Sequence, residues 1–487
     1  MSDTDTNLGF LLRIVTVAAL GGFLFGFDTA VINGAVPVLR DMFTDPAGTF
    51  RASFSADQVD LVVGQAVALA LVGAAIGAFT AGPITNKIGR KKSMVIAAVM
   101  FLASAIGSGM PMTIIDFTFW RFLGGLAFGA ASVIAPAYIA EVSPAHMRGR
   151  LGSMQQLAIV IGIFVALMSN LLVARAAGGG QADAGAEWIG GFEAWRWMFW
   201  IEAFPAALYG ILALGIPESP RYLVIQNKDE EARSVLSKVL GSGAVEGKVK
   251  EIHATLSSSH KPRMSDILGG GLFKKIVWLG IGLSVFQQFV GINVVFYYSN
   301  LLWESVGLTS DKAFINTAIG GGTNVLTTFI AIALVDKIGR KPLLMFGSLG
   351  MMISLGIMAY VFGTAPMDEL TGRPILSGDN AGMGKLALVA LNLFIISFGA
   401  SWGPIVWVML GEMFSNQIRG AALAVAAAAQ WGANYLISAT FPALAGWSLA
   451  GAYGFYAVSA LLSLVFVMFL IPETKGKELE TMGELEG

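Results

Sequence analysis

Apolar residues in this chain neither alternate nor keep to one helical stripe; they run on in blocks of about 20 positions or more, broken by short polar punctuation. A block of that length crosses a hydrocarbon core of about 30 Å as a helix, which satisfies its own backbone groups. Twelve such runs are present, over 10–34, 60–82, 92–111, 113–140, 150–173, 196–216, 274–302, 313–335, 343–363, 386–410, 419–442 and 452–471. The pattern predicts an all-α membrane protein of twelve transmembrane helices.

The polar punctuation repeats itself. Asn86-Lys87-Ile88-Gly89-Arg90-Lys91 returns as Asp336-Lys337-Ile338-Gly339-Arg340-Lys341, and Glu141 with Arg148-Gly149 returns as Glu412 with Arg419-Gly420. Pro217-Glu218-Ser219-Pro220-Arg221 closes the first half, and Pro472-Glu473-Thr474-Lys475-Gly476 closes the second. Three signatures in one order, at offsets of roughly 250 to 270 residues, indicate two equivalent six-helix halves joined head to tail.

Composition agrees with a bilayer. Of 487 residues 55% are hydrophobic and 13% charged, and the mean hydropathy is +0.70, too little polar surface to cover a soluble globule. The net charge of −1 calls for neither nucleic acid nor an acidic partner, but the basic residues collect on one side. With the N-terminus inside, Lys87, Arg90, Lys91, Lys92, Arg148, Arg150, Lys337, Arg340, Lys341, Arg419, Lys475 and Lys477 all fall in cytoplasmic connections. The positive-inside rule then places both termini in the cytoplasm. The first run is too long for a signal peptide and is preceded by Asp3 and Asp5, so it is expected to stay as a helix. With no cysteine and three scattered histidines, disulfide, thiol and metal chemistry have no residues to work with. Residues 217–273 are the one long charged stretch, read as a cytoplasmic linker in which 229–240 starts an amphipathic helix.

Ionisable groups within a span are costly and so are functional candidates. Asp28 lies some fifteen residues after Arg13, Arg121 about eight residues into the fourth run and Glu202 about six into the sixth, which puts all three at one depth. Such a trio suits a proton-coupling site, in which Asp28 exchanges pairing with Arg121 for a proton. A fixed structural ion pair, with Glu202 merely accepting a bond from Arg121, is the alternative. Amides form a second group: Gln287, Gln288 and Asn293 in the seventh run, Asn324 in the eighth, Gln430 and Asn434 in the eleventh. Tyr297, Tyr298, Trp402, Trp407 and Trp431 accompany them. Neutral donors and acceptors beside flat aromatic faces suit an uncharged polyhydroxylated ligand. On an ideal helix Gln287, Gly291 and Tyr298 share a face while Asn293 points about 120° away, so the seventh helix is expected to break near Gly291. The glycines of Gly73, Gly77 and Gly82 and of Gly124, Gly125 and Gly129 read as helix-packing faces rather than ligand loops.

These residues, with Gly26-Phe27-Asp28-Thr29-Ala30-Val31, Arg121-Phe122-Leu123-Gly124-Gly125, Pro136-Ala137-Tyr138-Ile139-Ala140-Glu141, Gln287-Gln288-Phe289-Val290-Gly291-Ile292-Asn293 and Gly403-Pro404-Ile405-Val406-Trp407, carry a resemblance over essentially the whole chain. The chain resembles the sugar porter branch of the major facilitator superfamily, nearest its bacterial glucose/proton and xylose/proton symporters. The resemblance implies sugar-binding positions at Gln156, Gln287, Gln288, Asn293, Asn324, Trp407, Gln430 and Trp431. It implies proton coupling through Asp28, a position commonly Asn in facilitative members, with Arg121 and Glu202. It also implies a conformational gate of Arg90, Glu141, Arg148, Arg340, Glu412 and Arg419. Ile163 stands where the xylose symporter carries a second glutamine, which tilts the expectation towards a hexose.

The expectation is a major facilitator fold: an N-terminal bundle over 1–216, a linker over 217–273, a C-terminal bundle over 274–472 and a tail over 473–487. It would sit in the cytoplasmic (inner) membrane and carry D-glucose with a proton by alternating access. The proton is the coupling ion, no other cofactor or metal is called for, and the chain is expected to act as a monomer in the lipid bilayer without nucleic acid. A facilitative uniporter is the near alternative. A non-transporting sugar sensor would be expected to carry a long tail, whereas about fifteen residues follow Pro472. An integral-membrane enzyme lacks a nucleophile, metal cluster or cofactor loop.

Overall fold

The apolar runs become helices, ten of them unbroken, and most extend at one or both ends into their polar flanks, because helical geometry continues until a cap or a glycine stops it. The computed structural model describes residues 7–45, 54–144, 147–241, 243, 245–258, 264–269, 272–367, 374–376, 378–414 and 418–475. The first half holds α1 (Leu8–Thr44), α2 (Ala56–Ile88), α3 (Arg90–Gly109), α4 (Ile114–Val142), α5 (Arg148–Ala177) and α6 (Ala194–Gly215). Three short helices follow, α7 (Pro220–Ile225), α8 (Asp229–Leu240) and α9 (Val245–Ser258), then a two-residue hairpin of β1 (Leu268–Gly269) and β2 (Leu272–Phe273). The second half holds α10 (Lys275–Phe289), α11 (Ile292–Ser305), α12 (Ser310–Ile338), α13 (Arg340–Thr364), α14 (Ala381–Gly399), α15 (Trp402–Met413), α16 (Arg419–Trp447) and α17 (Leu449–Leu470). Among the described residues, eleven spans are long and apolar enough to cross a membrane, α10–α11 and α14–α15 each counting as one. The helix α16, with Gln430 and Asn434 in its middle, completes the twelve runs.

Two helices are interrupted. The seventh run breaks as expected, at Gly291, whose φ of 85° is open to glycine and strained for other residues. The tenth run, expected to be continuous over 386–410, also breaks, between Gly399 and Trp402, with Ser401 at φ −142° and ψ −89°. Pro404 supplies the reason: it has no N–H to offer the carbonyl four residues back and is tolerated in the first turn of a helix, so α15 restarts just before it.

Glycine lets α2 and α4 touch along their backbones. A Cβ on Gly73 or Gly77 would strike the Phe122 or Leu126 carbonyl, and one on Gly125 or Gly129 the Ala70 or Ala74 carbonyl. Gly82 and Gly124 do not belong to this face, since the former meets nothing and the latter looks at Ser104 and Asp28. The linker helices bury Leu223, Val224, Ala232, Val235 and Ile252 in one small core and Leu236, Val245 and Val249 in another. The start of α1 is tied to them, Asn7 N–H donating to the Val239 carbonyl at 3.2 Å.

Contacts between the halves gather at the end of the helices opposite the repeated loops. Arg175 on α5 makes a two-point pair with Asp311 on α12, Nε to Oδ1 at 2.6 Å and Nη2 to Oδ2 at 2.9 Å. Asn33 on α1 donates to the Phe296 carbonyl and to Ser299 Oγ on α11, both at 3.0 Å, and Tyr435 on α16 donates to Gln65 on α2 at 2.7 Å. Close to the same end Gly64 abuts the Ala439 backbone.

Candidate functional site

The first group of site residues lies inside the N-terminal half. Asp28 on α1, Arg121 on α4 and Glu202 on α6 are each no more than 2% exposed. Arg121 holds Asp28 twice, Nη1 to Oδ1 at 2.5 Å and Nη2 to the Asp28 carbonyl at 3.0 Å, with the Phe199 ring 5.7 Å from the guanidinium. Asp28 Oδ2 faces Gly124 and Ser104, where only a missing Cβ leaves it room. Glu202 is close enough to interact with both charges, yet neither of its oxygens accepts a bond from Arg121. Asp28 Oδ2, both Glu202 oxygens and Arg121 Nε are buried without a donor–acceptor hydrogen bond, and the Glu202 carboxyl lies within reach of the Asp28 carboxyl, where a bond between the two acceptors requires a proton. Two carboxylates facing one guanidinium leave an uncompensated buried charge, which a single proton on the carboxyl pair removes.

The second group lies in the C-terminal half and is a chain of amides joined across three breaks and helices. Gln287 near the end of α10 donates to the Trp402 and Gly403 carbonyls at 2.9 and 3.3 Å, gripping the start of α15. Its Oε1 accepts from Gln430 at 2.6 Å and from Gln288 at 3.3 Å, and Gln288 Oε1 accepts from Asn293 at 2.5 Å. The break at Gly291 is what brings Asn293 back to Gln288. Gln430 keeps one buried oxygen without a partner. Trp431, next to it, packs against Phe25 and Phe128 of the other half at 5.8 and 5.7 Å between ring centres. Among the described residues, Gln156 on α5, Asn324 on α12 and Trp407 on α15 make no hydrogen bond to this chain of amides. Asn324 is buried beside Gly399, Gln156 is half-buried and Trp407 is 40% exposed. Trp402, grouped with the ligand aromatics from sequence, is a wall: fully buried, its indole N–H bonds the Leu344 carbonyl and Ser348 Oγ.

The third group explains the repeats. Arg90 at the start of α3 pairs with Glu141 on α4 at 2.9 Å and donates to the Thr85 carbonyl at 3.2 Å. Ser219 Oγ donates to the other Glu141 oxygen at 2.5 Å, and Glu218 accepts the Arg90 and Lys91 backbone N–H groups. In the second half Arg340 pairs with Glu412 at 2.8 Å, Thr474 donates to Glu412 at 2.6 Å, and Glu473 accepts the Arg340 and Lys341 N–H groups at 3.1 and 3.0 Å. All three repeated signatures therefore meet in one unit per half, in which a carboxylate sits on the N-terminus of α3 or α13, where orphan N–H groups and the helix dipole favour it. Burial alone would raise the Glu473 carboxyl, but the N–H bonds from Lys475, Arg340, Lys341 and Thr474 outweigh it and hold it below the usual range. Glu218, Ser219, Glu473 and Thr474 were missed as site residues from sequence, although their recurrence was the available signal. The Arg148, Asp336 and Arg419 side chains lie outside the described residues.

With this geometry in hand, the likenesses to known proteins are specific. The sequence family described as "Sugar (and other) transporter" matches residues 14–485. The glucose transport protein of Synechocystis sp. is 57% identical over 484 residues, covering 99% of this chain and 98% of that one. The D-xylose-proton symporter of Escherichia coli is 37% identical over 511 residues, covering 99% and 97%. Among solved structures, the inward-open conformation of the xylose transporter XylE from E. coli superposes with a TM-score of 0.81 at 36% identity, covering 98% of this chain and 100% of that one. XylE bound to 6-bromo-6-deoxy-D-glucose, titled a major facilitator superfamily proton:xylose symporter, gives 0.79. The chain belongs to the sugar transporter family and has the major facilitator fold.

Proposed function

We propose that this protein is a proton-coupled monosaccharide symporter of the cytoplasmic membrane and that D-glucose is its sugar. The observation that carries the reading is the Asp28–Arg121 pair, buried beside the Glu202 carboxyl in one half, together with a chain of buried amides in the other. The names of the relatives, a glucose transport protein and a D-xylose-proton symporter, support both parts.

The mechanism follows from the two charge states of that cluster. In the deprotonated state Arg121 holds Asp28 and its backbone carbonyl, locking α1 to α4. A proton on the carboxyl pair weakens the lock and frees α1. Sugar hydroxyls take over amide positions of Gln287, Gln288, Asn293 and Gln430, with Asn324, Gln156, Trp407 and Trp431 completing the site. The half-rotations that follow carry both across. With the repeated loops, rich in Lys and Arg, assigned to the cytoplasm, the end closed by Arg175–Asp311, Asn33 and Tyr435 faces outward, which supports reading this arrangement as inward-facing. Arg90–Glu141 and Arg340–Glu412 are paired within their own halves, which fits that assignment: the gate, with Arg148 and Arg419, forms bonds across the halves when the inner end closes. The bundles are taken as 1–216 and 274–472, the linker as 217–273, and the working unit as one chain.

Sugar uptake in energised vesicles tests the assignment. Accumulation above the external concentration, abolished by a protonophore, is expected; equilibration that a protonophore leaves unchanged would make the protein a uniporter.

A further inference from the structure

The proton cluster and the sugar amides lie in different halves, so some contact has to carry the state of one to the other. Phe25 and Phe128 occupy that position. Phe25 lies three residues before Asp28 on α1, and Phe128 lies seven residues after Arg121 on α4, two turns along the same face. Their rings stack at 5.3 Å with an interplanar angle of 6°. Trp431 of the opposite half rests on both, tilted by 51° on Phe25 and 46° on Phe128. Phe128 is fully buried and Trp431 nearly so. Trp431 in turn follows Gln430, which bonds Gln287 at 2.6 Å.

We infer that Phe128 is a positioning residue for coupling: it locks Phe25 against Trp431 while Arg121 holds Asp28, and releases the indole when that pair separates. The helix pair that carries the rings is the pair that carries the charges. Any shift of α1 against α4 that parts Asp28 from Arg121 also slides one ring of a near-parallel stack over the other. Trp431 loses its backing, and the amide beside it moves with it. The link is steric and needs no charge of its own. The charged and titratable groups that face Asp28 are Arg121 from α4, Glu202 from α6 and Tyr297 from α11, while α5 meets α1 there through the Ile159 backbone.

The inference rests on the proton-symport reading, and its test separates the two. Purified protein in proteoliposomes is assayed twice, for glucose accumulation driven by an imposed proton gradient and for glucose counterflow, which needs rocking but no net proton movement. Wild-type protein is expected to accumulate glucose. Phe128→Leu and Phe25→Leu are expected to cut accumulation at least about 5-fold, the low end of measured coupling between sites, with counterflow within about 2-fold of wild type. Phe25→Tyr, which keeps a ring at a half-buried position, is expected to retain accumulation. If both leucine variants keep wild-type accumulation, or lose accumulation and counterflow in equal proportion, the rings do not couple the sites and the inference is overturned. Absence of gradient-driven accumulation in wild-type protein would overturn the symport reading itself.

Discussion

Asn33 offers a direct view of the equilibrium between the two access states. It is fully buried on α1 and donates across the halves to the Phe296 carbonyl and Ser299 Oγ, each at 3.0 Å. Asn33→Leu keeps the volume and removes both bonds, whereas Ser299 retains Thr317 at 2.8 Å as a partner. Two neutral hydrogen bonds contribute about 1–3 kcal/mol together, and the Phe296 carbonyl is left with one acceptor site unfilled. Against this, the substitution also removes the Asn33 Oδ1, which has no partner in this state and costs about 1 kcal/mol. The net loss is about 1 kcal/mol, confined to the state with the far end closed, and corresponds to about a fivefold rise in the ratio of open to closed. The chain has no cysteine, so spin labels can be placed at will. Met112 and Trp447, both highly exposed at the far end of opposite halves, are suitable sites, read by pulsed electron-electron distance measurement. An unchanged distance distribution, or a shift towards the closed population, would refute the argument that these bonds hold the far end shut.

Other expectations follow from the same geometry. Gln287→Leu removes the partner of Gln430 Nε2, Gln288 Nε2 and two carbonyls at the start of α15, and if even one or two of these four stay unsatisfied in the site, glucose affinity measured by calorimetry should fall about 10- to 100-fold. Gly339→Ala places a side chain at φ 104° and ψ 164°, a region essentially confined to glycine and costing about 1–3 kcal/mol, and puts its Cβ 2.7 Å from Glu473 Oε2; a lower midpoint of thermal unfolding in detergent is expected, and an unchanged midpoint would contradict it. Glu473 has a folded pKa held below its ordinary value, so its carboxylate contributes stability that is complete above the usual Glu range, near pH 4.3, and is lost as the pH falls through the lower folded value. Wild-type protein should therefore exceed Glu473→Gln in melting temperature by a constant margin from pH 5 to 8, with the margin closing only in stronger acid; a margin that closes already at pH 6 would point to another group.

Legibility in the sequence varied with the physics behind each feature. The twelve helices were readable because a bilayer demands long uninterrupted apolar runs, and the break at Gly291 because Asn293 could not otherwise join Gln287. The break at Gly399 to Trp402 was not, since 386–410 carries no charge to mark it and its local signs, Gly399, Gly403 and Pro404, are of kinds that also occur in unbroken membrane helices. Asp28 and Arg121 were predicted at one depth and are bonded, but depth says nothing of rotation, and Glu202 faces the pair without touching Arg121. Trp402 and Trp407 looked alike as letters; only packing separates the fully buried indole, bonded to α13, from the exposed one. The partners Glu218 and Glu473 bond backbone N–H groups more than 120 residues away in sequence, a kind of contact that no local pattern announces.

The central claim is that Asp28 ties sugar movement to a proton. Addition of glucose to a lightly buffered suspension of de-energised cells expressing the protein should make the medium alkaline as protons enter with sugar. Asp28→Asn, which cannot alternate between pairing with Arg121 and holding a proton, should abolish the alkalinisation while glucose counterflow persists. Sugar-induced alkalinisation of wild-type size in Asp28→Asn would contradict the account.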